Sequence, residues 1–298
     1  MRIKMDTKDT LFYIIVYIIV AIAVVITLYP MILTLSISLS DAQAVAKNQV
    51  WLLPVKLNID GYKIVLNNKD VFTYFGNSIL YTVAGTAFNI VATCLAAYPL
   101  SQKTFFSLRK KLNFFIAFTM YFSGGLIPTY LLLTSLGFYN SRWVMIIPSL
   151  VSTYNVMICR AAFAEVPSEI IESAKLDGAS EWRILIDLAI PLIIPTLAVL
   201  TLYYAVGHWN GFFTAMLYLS DKKLQPMQLY LRRVLIMSST ELLTGQSAVD
   251  VESKALNMSY TIQLRYVLIV VSMVPILIVY PLLQKYFVKG IMLGAIKA

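Results

Sequence analysis

Long uncharged runs alternate with short charged segments along the whole chain. An ionised side chain is costly inside hydrocarbon, so runs without Asp, Glu, Lys or Arg are the clearest sign of membrane spans. Crossing about 30 Å of hydrocarbon takes about 20 helical residues, and unbroken apolar runs indicate helices rather than the alternating strands of a barrel. The pattern predicts about six transmembrane helices, at about 11–37, 75–99, 112–134, 143–164, 188–212 and 265–284.

The distribution of Lys and Arg predicts the orientation of these spans, because cytoplasmic loops carry the excess of cations. With the N-terminus inside, the inner segments hold 13 cations in 60 residues, whereas the other 11 are spread over longer outer segments. We therefore expect both termini and the loop 165–187 in the cytoplasm, with the polar loops 41–70 and 221–264 outside. All of residues 1–298 then form a single transmembrane domain.

The first span follows a basic N-terminus, as the core of a signal peptide does, and Ala42-Gln43-Ala44 resembles a cleavage site. The apolar core of a signal peptide is only about 7–15 residues long. The uncharged run here covers 31 residues, from 10 to 40. A retained first helix is therefore the better prediction.

The composition supports a membrane protein. Hydrophobic residues make up 59% of the chain and charged residues 13%, and the mean hydropathy is +0.75, whereas a soluble domain carries about 25% charged residues. The net charge of +9 does not indicate a nucleic-acid partner, because loop cations set topology and no nucleic-acid-binding motif occurs. Cys94 and Cys159 both lie in apolar stretches, which argues against a disulfide framework.

The window 160–187 breaks the pattern, since it holds six of the fifteen acidic residues of the chain. Pro167 followed by serine is a typical helix start, and Glu172 suits the positive end of the helix dipole. Gly178 suits the left-handed residue that ends a helix, and Ser180 starts a second helix. The pattern predicts a short helix, a sharp bend and a second helix that enters the membrane.

The short helix has one apolar face, formed by Ile170, Ile171 and Ala174. A helix of two turns is not stable alone, so we expect it to dock onto another surface. Helices that lie on lipid favour Lys and Arg on their polar face. Because this face is acidic, a groove on a partner protein is favoured over the alternative, a helix resting on the membrane.

Three features of this loop fit one family motif: Glu172-Ser173-Ala174, Gly178 six residues after the glutamate, and Pro191 after Leu188-x-Ile190. The loop resembles the EAA loop of bacterial ATP-binding-cassette (ABC) importer permeases, from which Ser173, Leu188 and Ile190 depart without changing the spacing. Further segments resemble the sugar-importer branch, in particular MalG-type second permeases of complex-polysaccharide importers: Ala174–Ala179, Trp209-Asn210 and the tail 286–297.

The resemblance implies a type I ABC importer permease fold and a mechanical role for the loop. The loop would form a coupling helix seated in a cytoplasmic ATPase subunit, so that ATP-driven closure of two such subunits moves a permease pair from inward-open to outward-open. Glu172 would face basic residues of the ATPase, Ala174 would permit close packing, and Gly178 would allow the bend. The implied coupling residues are Glu169, Glu172, Ala174, Asp177, Gly178 and Ala179.

The same resemblance implies the partners and the location. They are a second, homologous permease in a heterodimer, two ATPase subunits, an extracellular or periplasmic sugar-binding protein, and an oligosaccharide substrate, all at the bacterial cytoplasmic (inner) membrane. The chain has no Gly-x₄-Gly-Lys-[Ser/Thr] phosphate loop. We therefore expect ATP and Mg on the partner ATPase, no cofactor bound by this chain, and no enzymatic activity.

Two other function classes have less support. An ion-coupled secondary carrier of a small solute is the main alternative, but such carriers usually hold carboxylates within their spans, and the uncharged runs contain none. A membrane-embedded transferase would need a catalytic acid, base or metal site. His208 is the only histidine, which excludes a site with several histidine ligands, and its place beside Trp209 is typical of an interfacial polar residue.

A sugar path needs uncharged hydroxyl and amide groups with aromatic faces. Tyr and Trp are also common at membrane interfaces, and Asn often joins helices to each other, so each assignment has a structural alternative. Among the polar residues of the spans, we expect four to line the path: Tyr121, Asn155, Tyr204 and Asn210.

Overall fold

The computed structural model describes residues 7–102, 108–244 and 262–281 of the chain. Most residues in these ranges are helical and none is in a β-strand, which confirms the predicted all-α class. Its helices are α1 (Thr7–Ser38), α2 (Ala42–Ala46), α3 (Asp60–Asn67), α4 (Lys69–Ser101), α5 (Arg109–Phe118), α6 (Leu126–Ser135), α7 (Thr153–Ala164), α8 (Ser168–Leu176), α9 (Glu181–Arg183), α10 (Ile190–Leu192), α11 (Ile194–Asn210), α12 (Phe213–Tyr218), α13 (Met227–Thr244) and α14 (Ile262–Pro281).

Three of these helices are long and apolar enough to cross a membrane, namely α1, α4 and α14. They coincide with the predicted spans 11–37, 75–99 and 265–284, of which residues 282–284 lie outside the described ranges. The two halves of a bent helix pair, Glu181–Leu192 and Ile194–Asn210, are together also long and apolar enough to cross a membrane. The described residues therefore contain three or four such spans, and the other two predicted spans differ from the expectation.

The predicted span 112–134 is not one helix, which corrects the expectation of a continuous span. Helix α5 ends at Phe118 and α6 begins at Leu126, and the residues between them are not helical. Gly124 and Gly125 lie in this break, and Gly125 has a φ of +86° directly before α6. Glycine adopts such left-handed conformations without steric cost, so the glycine pair interrupts a run that hydropathy alone shows as continuous.

The predicted span 143–164 is also not continuous. It starts with a 3₁₀ turn, Arg142–Met145, continues without helix to residue 152, and becomes α-helical only in α7. Pro148 lies in the irregular part, where its ring removes a backbone donor and disfavours helix in the residue before it. Ser152 then caps α7 by accepting a hydrogen bond from the backbone N–H of Asn155 at 3.5 Å.

The predicted span 188–212 begins earlier than expected and is bent. The segment Glu181–Leu192 consists of α9, a π-helical turn (Ile184–Ala189) and α10, and it meets α11 at an angle of 84°. Pro191 and Pro195 flank the bend. Proline frees the carbonyl one turn earlier and kinks the helix, which explains why the bend falls here.

The polar loops contain helices that the pattern did not indicate. Residues 41–70 include α2 and α3, and the loop 221–264 includes a second 3₁₀ turn, Lys222–Leu224, followed by α13. Leu229 and Leu231 of α13 are buried, although the charges around them make the segment polar overall. Residues 245–261 and the tail 286–297 lie outside the described ranges.

The described residues fall into two compact units. The first lies within Met1–Lys69 and Leu231–Met273. In it, the backbone N–H of Asp41 donates to the carbonyl of Val55 at 3.1 Å, and Gln263 Nε2 donates to the carbonyl of Ser40 at 2.7 Å. These bonds order the segment that follows α1.

The second unit, within Asp70–Tyr230 and Val274–Ala298, contains the main apolar core of the described residues. The core is built from α4, α7, α8, the π-helical turn and α11, and its buried side chains include Cys94, Tyr98, Cys159, Phe163, Ile171, Ile184 and Leu200. The rings of Tyr98 and Phe163 meet edge to face with centroids 5.5 Å apart. Both cysteines are buried and free. The acidic loop and the polar side chains described in the next section belong to this second unit.

Candidate functional site

Helix α8, called the acidic helix below, begins directly after Pro167 and is attached to the core by one side. Ile171 is only 6% exposed and packs in the apolar core, with Ala174 partly buried against the same core. Glu172 is exposed, and Leu176 at the end of the helix is 89% exposed. The predicted helix start and amphipathic character are confirmed, although Ile170 is 39% exposed and the buried face is therefore narrower than expected.

The acidic helix ends in a glycine bend. Gly178 has a φ of +79°, its N–H donates to the carbonyl of Lys175 at 3.0 Å, and the N–H of Ala179 donates to the carbonyl of Ala174 at 2.9 Å. This pair of bonds is the Schellman motif, which satisfies the last carbonyls of a helix through a left-handed residue. Ser180 then caps α9 by accepting from the N–H of Arg183, so the predicted bend and second start are confirmed.

One carboxylate connects the two sides of this bend. Lys175 Nζ of the acidic helix lies 2.7 Å from Glu181 Oε1, and the hydroxyl of Tyr98, near the end of α4, donates to Glu181 Oε2 at 3.2 Å. The Lys175 and Glu181 side chains are 39% and 40% exposed, so water screens the pair and its contribution to stability is small. Its effect is geometric, because it ties the acidic helix to the end of a membrane-spanning helix.

A surface cavity of about 640 Å³ lies beside the acidic helix. Its charged lining consists of three acids and one base, namely Glu169, Asp177, Asp187 and Arg183. Arg183 and Asp187 form a loose exposed pair, with Nε and Oδ2 3.6 Å apart. The remaining acids give the surface an excess of negative charge, which suits a basic partner.

A set of polar side chains joins the spans deeper in the unit. His208 Nε2 of α11 lies 2.6 Å from Asn89 Oδ1 of α4. Asn89 Nδ2 donates to the carbonyls of Ser149 and Leu150, at 2.6 and 2.8 Å. Gly85, one turn before Asn89, makes the room for this contact, because a Cβ at that position would lie only 2.5 Å from the His208 ring.

A second connection runs parallel to the first, one helical turn away. The hydroxyl groups of Thr93 on α4 and Tyr204 on α11 are 2.7 Å apart, and the backbone N–H of Ser152 donates to the Tyr204 hydroxyl at 3.3 Å. Both connections end on the irregular segment before α7. Irregular backbone at membrane depth needs partners inside the protein, and these four side chains, called the polar centre below, supply them: Asn89, Thr93, Tyr204 and His208.

A cavity of about 490 Å³, called the polar cavity below, opens beside the polar centre. Its lining carries hydroxyl, amide, imidazole and aromatic groups but no Asp, Glu, Lys or Arg. The polar side chains that line it are Ser149, Ser152, Asn155, Tyr203, Tyr204, His208 and Thr214. This volume falls within the range of about 300–1,000 Å³ that is typical of small-molecule sites.

The chain matches the family described as "Binding-protein-dependent transport system inner membrane component" over residues 4–293. The chain belongs to this family. It is therefore an inner-membrane, multi-pass permease of an ABC importer, and the helical architecture described above is the type I permease fold.

The permease resembles carbohydrate transport proteins over nearly its whole length. It is 34% identical over 290 residues to the polygalacturonan/rhamnogalacturonan transport system permease protein YtcP of Bacillus subtilis (strain 168), covering 97% of this chain and 99% of that one. It is 38% identical over 274 residues to protein LplC of the same organism, covering 91% and 90%. A chain from the crystal structure of a bacterial ABC transporter that imports the acidic polysaccharide alginate matches with a TM-score of 0.86 and 33% identity, covering 96% and 100%.

The permease brings together two of the four residues predicted to line a substrate path. Asn155 and Tyr204 both line the polar cavity. Tyr121 lies in the break between α5 and α6 and is 90% exposed, and Asn210 is exposed at the end of α11, outside the cavity lining. The predicted coupling residues, in contrast, all fall on the acidic helix or its glycine bend.

Sequence reasoning missed His208 and Asn89 as partners and treated His208 as an interfacial residue. A usable signal was present: Asn89 and Thr93 are four residues apart on one apolar helix, and Tyr204 and His208 are four apart on another. Polar residues at this spacing share a helix face, and in membrane spans such residues commonly bond between helices. Among the described residues, no group of three or more His, Cys, Asp or Glu is placed to hold a metal ion.

Proposed function

We propose that this permease moves an oligosaccharide inward across the bacterial cytoplasmic membrane, driven by ATP that a separate ATPase binds and hydrolyses. The observation that carries the proposal is the acidic helix. It exposes acidic groups and Leu176 on its outer side while Ile171 attaches it to the core of the membrane unit. This surface is suited to binding a partner protein, because a short exposed helix with apolar and charged groups gains stability when a partner covers it.

The contacts around the bend support transmission of movement from a docked partner. The acidic helix is joined to the core by Ile171 and to the end of α4 through Lys175, Glu181 and Tyr98. A displacement of the helix therefore acts on both α4 and the bent span that begins at Glu181. Glu169, Glu172 and Asp177 would meet basic groups of the ATPase, Ala174 would permit its close approach, and Gly178 and Ala179 would form the bend.

The names of several relatives support the substrate class. One is named for polygalacturonan and rhamnogalacturonan, another for arabinooligosaccharides, and a third for melibiose, raffinose and stachyose. All of these are chains of sugar residues. We assign this permease to the same class of substrate.

The proposal requires further partners at the membrane. A second, homologous permease would complete the pathway, two ATPase subunits would carry ATP and Mg, and a periplasmic or extracellular sugar-binding protein would deliver the substrate. The family description, which makes transport dependent on a binding protein, supports the last of these. With the acidic helix on the cytoplasmic side, both termini would also be cytoplasmic, and no catalytic residue is assigned to this chain.

The test is uptake of radiolabelled oligosaccharide into vesicles that contain the permease pair and the ATPase subunits. Glu172→Lys reverses a charge on the docking face, and we expect it to reduce ATP-driven uptake at least about tenfold, equivalent to about 1.4 kcal/mol. Glu165→Lys is the matched control, because Glu165 is exposed but precedes the acidic helix. Equal uptake by both variants would contradict the docking role, and uptake driven by a proton or sodium gradient without nucleotide would favour the carrier.

A further inference from the structure

The polar cavity beside the polar centre is lined by a side-chain amide, that of Asn155, which no group among the described residues satisfies. Asn155 is only 6% exposed and lines the cavity. Its backbone N–H bonds to Ser152, but its side-chain amide makes no hydrogen bond to any residue within the described ranges. Buried polar groups are normally paired, so this amide is free to bond to a molecule in the cavity.

His208 also lines the cavity and has one ring nitrogen without a partner among the described residues. Asn89 Nδ2 donates to two carbonyls, so its Oδ1 is the acceptor and His208 Nε2 is the donor. In neutral imidazole one ring nitrogen donates and the other accepts. His208 Nδ1 is therefore left as an acceptor, and it has no other partner in the part of the chain that the structure describes.

The shape of the cavity leaves space next to these groups. Gly207 lines it, and a Cβ added there would meet no atom within 4 Å. Tyr203 and Tyr204 lie on the same turn of α11 and also line it. Aromatic rings pack against the C–H face of a sugar ring, while amide and imidazole groups bond to its hydroxyls.

The absence of charge in the lining restricts what binds there. No Lys or Arg lines the cavity, so a carboxylate placed in it would lack a cationic partner, and burying an unpaired charge is strongly unfavourable. Hydroxyl groups carry no charge and meet no such penalty, and amide and imidazole groups are suitable hydrogen-bond partners for them.

We infer that this cavity binds an uncharged sugar residue, with Asn155 and His208 as the residues that recognise its hydroxyls. The inference rests on the proposed function and adds to it a site within this chain and a preference for neutral rings. The polysaccharides named for two of the similar proteins, polygalacturonan and alginate, carry a carboxylate on their sugar residues. This cavity selects against such a residue unless its acid is esterified.

Equilibrium binding to the purified complete transporter, without nucleotide, tests the site directly. The probes are raffinose, arabinotriose, trigalacturonate and fully methyl-esterified trigalacturonate; the last two share their ring hydroxyls and differ in charge. We expect at least one neutral probe to bind, and the methyl ester to bind more tightly than the acid. Asn155→Leu should weaken binding of the neutral probe about tenfold or more, because it removes two hydrogen-bonding groups, whereas Asn210→Leu should bind like the wild type.

A labelling experiment checks the same site without relying on a loss of binding. Gly207→Cys places a thiol at the open wall of the cavity, and the two native cysteines are buried. A bound neutral probe should slow reaction of this thiol with a maleimide, and trigalacturonate should not.

The inference is overturned if no neutral probe binds, if the acid binds as tightly as its ester, if Asn155→Leu binds like the wild type, or if the neutral probe leaves labelling unchanged. Any of these results alongside ATP-driven uptake would leave the proposed function standing. A loss of ATP-driven uptake in the wild type would instead remove the proposed function.

Discussion

The polar centre and the acidic helix lie in the same compact unit but are built in opposite ways. In the polar centre, Asn89 and His208 bond to each other and Asn89 also satisfies two backbone carbonyls. In the acidic helix, Glu172 and Leu176 face outward, and a half-exposed carboxylate, Glu181, makes the polar link back to α4. In the first region the side chains bond mainly to one another and to nearby backbone, with His208 Nδ1 left over, whereas the second presents most of its charged groups to the outside.

This difference indicates that substitutions in the two regions should affect different properties of the protein. A change in the polar centre leaves buried groups without partners, so it should lower the free energy of unfolding. A change on the acidic helix exposes nothing new, so it should leave the fold intact and reduce coupling to the ATPase. The predictions below separate stability from coupling.

The largest loss of stability is expected for Asn89→Leu. The substitution removes the acceptor for His208 and leaves the Ser149 and Leu150 carbonyls without their donor. An unsatisfied buried group costs about 1–3 kcal/mol, and we expect a total of about 3 kcal/mol in the free energy of unfolding, measured by denaturant titration in detergent. Asn210→Leu, at an exposed position, should stay within about 0.5 kcal/mol of the wild type; similar losses for both variants would contradict the account.

The next largest effect is expected from a matched pair of glycines on α4. A Cβ at Gly85 would lie 2.5 Å from the His208 ring, whereas one at Gly76 would meet no atom within 4 Å. Gly85→Ala should therefore cost about 1–3 kcal/mol by overpacking, while Gly76→Ala should be neutral or stabilise by up to about 1 kcal/mol, since alanine favours helix. Thermal unfolding of both variants measures this difference. A Gly85→Ala variant as stable as the wild type would argue against the tight contact between position 85 and the His208 ring.

Gly178 tests the bend without affecting packing, because a Cβ there would meet no atom within 4 Å. Its φ of +79° costs other residues about 1–2 kcal/mol, and asparagine tolerates this conformation best. Gly178→Val should reduce ATP-driven uptake by about tenfold, and Gly178→Asn should retain most of it. If valine and asparagine behave alike, the left-handed bend is not required for coupling.

The smallest effect is expected from the link across the bend. Lys175→Met and Glu181→Gln remove an ion pair that is partly screened by water, so each should change the free energy of unfolding by less than about 1 kcal/mol. A modest fall in uptake with unchanged stability would support a positioning role. The exposed pair of Asp60 and Lys63, 2.9 Å apart, provides the comparison, since Lys63→Met should change neither quantity.

The acidic helix was the part of the site that the sequence predicted best. Its start at Pro167, its glycine bend and its second cap at Ser180 depend on local chemistry within a few residues. Such signals act through neighbouring backbone groups, so a single sequence carries them. The resemblance of this loop to the permease motif then led to the family.

The broken spans and the polar centre were not predicted, for a common physical reason. The spans were predicted from runs without charged residues, and such a run does not register Gly125 or Pro148, which lie where the helix is interrupted. The bond between Asn89 and His208 joins residues 119 apart. Its geometry depends on how two spans pack, and the space at Gly85 becomes visible only once they do.

Hydrogen–deuterium exchange of the permease pair, measured without and with the ATPase subunits, tests the central claim most directly. Peptides that cover 168–180 should become strongly protected when the ATPase binds, because a partner covers the acidic helix and its bend. Peptides that cover 146–152, held by the polar centre, should exchange at the same rate in both samples. Unchanged exchange at 168–180 in an assembled complex, or protection confined to other segments, would contradict the assignment of the acidic helix as the docking element.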